Sequence, residues 1–145
     1  MKSATKWLKP LLATLIAGAG LAFAQVNITM NTVQIFGTID PAKVTDYTEY
    51  MAAANLYDGL VDVDETGAIV PLLADSWEVS DDAKQFTFTL KDGATFHDGS
   101  PVEASDVVYS VRRLLTIDQG PSYLVRDVLD VDGVQALDGN TVQFT

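Results

Sequence analysis

The chain has 145 residues, with nine basic against twenty acidic side chains, a net charge of −11 and no cysteine. This length allows one modest domain. The acidic balance repels nucleic acid and anionic membrane surfaces, so neither is a predicted partner. The lack of cysteine excludes disulfides, thiolate nucleophiles, cysteine-based metal sites and the lipid-bearing cysteine of a bacterial lipoprotein.

The first 24 residues predict a secretory signal peptide. Lys2, Lys6 and Lys9 stand without an acid in the first ten positions, and the apolar run "LLATLIAGAGL" over 11–21 is too short to span a bilayer as a permanent helix. Ala22-Phe23-Ala24 places small residues at the two positions a signal peptidase reads. Cleavage is therefore predicted before Gln25, leaving 25–145 as an exported chain without a lipid anchor.

Beyond Asp40-Pro41, a turn dipeptide, the stretch "TDYTEYMAAANLYDGL" (45–60) predicts a helix. Asp46 caps it, Glu49 follows three residues on as in a capping box, and Gly59 offers a left-handed stop. Tyr47, Tyr50, Met51 and Ala54 share one face. Residues 60–63 and 69–70 flank "DETG" as a short hairpin. Two longer strands then surround the turn at 80–84. In the second, Phe86, Phe88 and Leu90 alternate with Gln85, Thr87 and Thr89, while Trp77 and Val79 give the first strand a matching face that should meet a core.

After the loop "KDGATFHDGSP", a second helix is predicted over about 103–115, lying on the sheet through Val107, Val108, Val111, Leu114 and Leu115. Glu103 and Asp106 suit its positive end, and Arg112 and Arg113 its negative end. A last hairpin is predicted from residues 128–137, the turn "DGN" and "TVQFT". No turn, cap or polar tail follows Phe144, so these residues are expected to begin a longer protein.

Chemistry is sought first at His97, the only histidine, in "HDGSPVEASDVVYS" (97–110). A working Ser-His-Asp triad is assembled in space by a fold, so adjacency along one loop does not make one. A secreted hydrolase using His97 as a base is the rival reading. No second histidine exists to share a metal, and the calcium-loop likeness of residues 62–67 fails where the twelfth position is Leu73. No glycine loop cradles a phosphate, so neither metal nor cofactor is expected. Tyr47 and Tyr50, beside Glu49, and Tyr123, after a Gly-Pro turn, can wall a small-molecule cleft or pack partly buried on helix faces.

The run "LADSWEVSDDAKQFTFTLKDGATFHDGSPVEASDVVYS" (73–110) closely resembles the family 5 extracellular solute-binding proteins of ABC importers. Its order of parts is similar to theirs: a Trp-bearing strand, an acidic turn, an alternating aromatic strand, a Phe-His-Asp-Gly loop and an Asp-Val-Val helix. Asp40-Pro41 and "NLYDGLV" (55–61) extend the resemblance over nearly all of 38–145.

The resemblance implies an α/β, periplasmic-binding-protein-like fold of two lobes that close about a hinge, with 25–145 as the N-terminal part of lobe I. It implies a monomeric, non-enzymatic periplasmic protein that captures a small solute, foremost a peptide, and delivers it to an ABC permease. By similarity, Tyr47, Thr48, Glu49, Tyr50 and Tyr123 border the cleft, with Glu49 placed to favour a cationic group such as a peptide α-amine. The Phe-His-Asp-Gly segment becomes a structural loop. Two departures stand out: Ala83 occupies a turn position where the family usually has Gly, which predicts a strained left-handed backbone, and Glu103 replaces the usual Thr or Ser cap.

Overall fold

In the computed structural model, which describes Thr29 and residues 37–145, the first helix is α1 (Tyr47–Ala54). The predicted signal peptide and its cleavage site lie outside the described residues. Asp46 caps α1 as predicted, its carboxylate accepting the N–H groups of Thr48 at 2.8 Å and Glu49 at 3.0 Å. Such a cap contributes about 1 kcal/mol.

The helix is shorter than the sequence predicts. The Asn55 side-chain amide donates to the Met51 carbonyl at 2.7 Å, and the N–H groups of Leu56 and Tyr57 both close on Ala53. Left-handed glycines occur at 67, 93, 99 and 120, and Gly59 is not among them. The carbonyls of residues 59 and 60 instead accept from the N–H groups of Leu72, Leu73 and Ala74. The face that Tyr47, Tyr50, Met51 and Ala54 share is exposed, and α1 buries Glu49 and Ala53 instead.

Strands β1 (Val61–Val63) and β2 (Ile69–Pro71) form the predicted hairpin, in register Asp62 opposite Val70. Asp64 closes its turn by accepting from the Thr66 N–H, the Thr66 hydroxyl and the Ala68 N–H, which is Asx-turn chemistry. The main sheet is antiparallel and four-stranded, from β3 (Ala74–Val79), β4 (Phe86–Leu90), β5 (Val134–Ala136) and β6 (Thr141–Phe144) in the order β3-β4-β6-β5. Trp77 lies opposite Phe88 and Val79 opposite Phe86, the shared face that alternation predicts.

Helix α2 (Ala104–Ile117) lies on that face. Leu90, Ala104, Val107, Val134 and Val142 form the buried centre, with Phe88, Val111, Leu115 and Phe144 packed against it. Phe88 meets Phe144 edge-on at 5.6 Å between ring centroids. The cover is incomplete, however. Because α2 packs over β5 and β6, Val79 and Phe86 at the far end of the face stay exposed.

Two further expectations are revised. Residues 125–129 form turns closed by hydrogen bonds onto the Val125 carbonyl, and a 3-10 turn (Val131–Gly133) follows, so the strand predicted from 128 begins only at Val134. Arg112 and Arg113 act through tertiary contacts rather than as charges capping α2. Arg112 donates twice to the Val134 carbonyl, at 3.1 and 2.8 Å, and Arg113 pairs with Asp40.

The turn between β3 and β4 holds Ala83 at φ 54°, the left-handed conformation that the departure from Gly predicts. Ser80 and Asp82 brace it, with the Ser80 hydroxyl on Asp82 and the Lys84 N–H on the same carboxylate. Ala83→Gly is therefore expected to stabilise the protein, relief of strain on the order of 1 kcal/mol exceeding the added chain entropy. A lower melting temperature in the variant would show that the turn tolerates Ala without cost.

Candidate functional site

The tyrosines named from sequence lie on α1 and on a 3-10 turn that follows α2. Tyr47 and Tyr50 sit on the open side of α1 at 76% and 61% exposure, and Tyr123, in a 3-10 turn (Gly120–Leu124), is 63% exposed. All three residues are therefore largely open among the described residues. Thr48, between the first two, is half-buried, and its N–H is held by Asp46.

The 3-10 turn abuts the strap that leads into α1. A Cβ on Gly120 would stand 2.8 Å from the Lys43 carbonyl carbon and 2.8 Å from the Val44 oxygen, and Gly120 has φ 49°. Only glycine allows so close a backbone approach in that conformation. Beside it, Ser122 is buried and donates its hydroxyl to Asp118 at 3.1 Å. Tyr123 thus projects from an anchored turn.

The strap itself, residues 37–45, is held at two further points. Arg113 of α2 grips both Asp40 oxygens, one of them at 2.7 Å, and this guanidinium draws the Asp40 carboxyl down to about 2, well below the usual aspartate value. Glu49 is 4% exposed, and one of its oxygens accepts the N–H groups of Gly37 at 2.9 Å and Thr38 at 3.0 Å. The other accepts the Thr45 N–H at 2.9 Å. These bonds reach beyond a capping box. The Thr45 N–H first, then those of Thr38 and Gly37, lower the Glu49 pKa, while burial opposes them.

Sequence reasoning missed Gly120 and the Asp40–Arg113 pair. Gly120-Pro121 reads as a turn but carries no sign of what it touches, and 73 positions separate Asp40 from Arg113.

His97 is exposed in the loop between β4 and α2. Its neighbour Asp98 accepts both the Ser100 hydroxyl at 2.6 Å and the Ser100 N–H at 2.9 Å. Asp98 and Ser100 brace the loop, and the Ser100 hydroxyl donates its hydrogen bond to Asp98 rather than to His97. Among the described residues no cluster of three His, Cys, Asp or Glu side chains could hold a metal ion. Two open depressions, one along α2 at Tyr109 and Arg112 and one near Arg126 and Val128, include none of Tyr47, Tyr50 and Tyr123.

The sequence profile of the bacterial extracellular solute-binding proteins, family 5 (middle region), matches residues 68–145. Over 113 residues the chain is 42% identical to the probable D,D-dipeptide-binding periplasmic protein DdpA of Escherichia coli K12, covering 74% of this chain and 21% of that protein. It therefore spans about a fifth of the length of this curated relative. The fold superposes on the Escherichia coli murein tripeptide binding protein MppA with a TM-score of 0.63 at 34% identity, covering 74% of this chain and 24% of that one. With Listeria monocytogenes OppA bound to peptide the TM-score is 0.67 at 28% identity, with the same two shares covered. Profile, identity and superposition agree on one α/β architecture, that of periplasmic binding proteins, and the chain belongs to the family 5 bacterial extracellular solute-binding proteins.

Proposed function

We propose that this chain is the N-terminal part of lobe I of a periplasmic solute-binding component of an ABC importer. It is exported by a signal peptide over 1–24, works as a monomer without a lipid anchor, and catalyses no reaction. The complete protein captures a peptide between two lobes and, once closed, delivers it to a membrane permease. Tyr47, Thr48, Tyr50 and Tyr123 line the wall contributed by this part of the chain. The observation that carries the reading is the exposure of the three tyrosines, on α1 and on a turn that Gly120 seats against the strap leading into α1. Aromatic walls of this kind bury ligand surface, and the hydroxyl remains for directional contact. Relatives named for dipeptide, murein tripeptide and peptide binding support the solute class. The hydrolase alternative has no comparable support, since Ser100 and Asp98 satisfy each other.

One wall of a cleft cannot desolvate a ligand by itself, because a small-molecule site encloses most of its ligand's surface. Calorimetry should therefore find no micromolar binding of a tripeptide by residues 25–145 alone, and clear binding by the full-length protein. Micromolar binding by 25–145 would place a complete site within this stretch, and no binding by the full-length protein would sink the peptide reading.

A further inference from the structure

Glu49 is the one buried carboxylate among the described residues, and its place beside the exposed tyrosines invites the reading that it meets a cationic solute group. The geometry points elsewhere. We infer that Glu49 is a positioning residue rather than a solute ligand: its carboxylate fixes the strap at 37–45, from which both tyrosine-bearing segments are hung. The inference rests on the proposed solute wall.

Both Glu49 oxygens face the chain. One takes two N–H groups from the near end of the strap, Gly37 and Thr38, and the other takes the Thr45 N–H from its far end, with the Thr45 hydroxyl at 3.4 Å. A single carboxylate therefore ties together backbone points eight positions apart and joins both to α1. At 4% exposure it has no open side to offer a solute. A carboxylate so placed is worth more than an amide would be, since all its partners are donors and it accepts without bringing a donor of its own. Between the tied ends the strap carries Lys43 and Val44, the backbone against which Gly120 seats the Tyr123 turn. Asp40, also within the strap, is clamped by Arg113. Tyr47 and Tyr50 depend on the strap through Glu49, and Tyr123 through Gly120, so a strap that loosens moves both parts of the wall.

The test is Glu49→Gln in the full-length protein, titrated with a tripeptide and with the same tripeptide N-acetylated. The amide NH2 of Gln would confront backbone N–H groups, so hydrogen exchange at residues 37, 38 and 45 should quicken. Affinity should fall about tenfold for both peptides alike, on the order of the cost of ordering one or two side chains anew on binding. A loss confined to the free-amine peptide would make Glu49 a ligand and overturn the inference. Unchanged affinity for both peptides would overturn it too. Should Glu49→Gln fail to fold, Gly37→Ala serves instead: its Cβ would stand 2.6 Å from the Glu49 oxygen, displacing the carboxylate while keeping its charge. An equal loss for both peptides again upholds the inference, and full affinity overturns it. A wild-type protein that binds neither peptide fails the peptide reading alone. Exchange then decides the strap by itself, faster exchange at 37, 38 and 45 upholding the tie and unchanged exchange overturning it.

Discussion

Gly120→Ala is expected to destabilise the protein by about 2 to 5 kcal/mol, the sum of a left-handed backbone forced on a residue with a Cβ and an overlap with a neighbouring chain. The first part follows from φ 49° at Gly120. The second follows from the three atoms of Lys43 and Val44 that a Cβ would meet at 2.8 to 2.9 Å, all of them backbone and none able to swing aside. Gly99→Ala separates the two parts. Gly99 also has positive φ, at 85°, but nothing lies within 4 Å of its would-be Cβ. Its substitution should cost only about 1 kcal/mol. Thermal melts should then rank Gly120→Ala far below Gly99→Ala, by several degrees for each kcal/mol in a domain of this size. Equal losses would mean that the strap moves away at no cost, and the seat of the Tyr123 turn would lose its main support.

Tyr123→Ala is expected to weaken solute binding by the full-length protein by about 1 to 3 kcal/mol, comparable to burying one large side chain against the ligand. That is roughly a 5- to 150-fold rise in Kd. Folding should be spared, because the turn is anchored by its neighbours and not by the ring. Ser122 is buried, its hydroxyl bonds Asp118, and its carbonyl accepts the N–H groups of Val125 and Arg126. Asp118, itself left-handed at φ 48°, also receives Arg126 at 2.9 Å, which ties the end of α2 to the stretch after the turn. Calorimetry beside a thermal melt tells the two roles apart. Unchanged affinity with a lowered Tm would return Tyr123 to packing and remove it from the wall.

What could be read in the sequence was what neighbouring residues decide. The alternation of Phe86, Phe88 and Leu90 requires a strand with one apolar face, and the observed register sets that face beside Trp77 and Val79. Asp46 caps α1 because its short carboxylate reaches N–H groups two and three positions ahead. Ala83 announces its left-handed backbone by standing where glycine is usual. The family was legible for the same reason, since "SWEVSDDAKQFTFTLKDGATFHDG" (76–99) is one continuous chain of strand, turn, strand and loop.

Only the tertiary structure decided where elements stop and what covers them. Helix α1 ends at Ala54, where Leu56 and Tyr57 both close on Ala53, and residues 59 and 60 then give their carbonyls to 72–74, a pairing that periodicity over 45–60 does not contain. Val79 and Phe86 have the pattern of core residues and remain exposed, since α2 lies over β5 and β6. Glu49 reads locally as a capping-box acid, yet two of its donors lie 11 and 12 positions upstream. Arg113 reads as a charge suited to the helix C-terminus, and Asp40, 73 positions away, takes it up. Patterning along a chain reports local backbone preference and which face is apolar. The partner of a charge and the cover of a face depend on contacts between distant segments, and these exist only once the chain has folded.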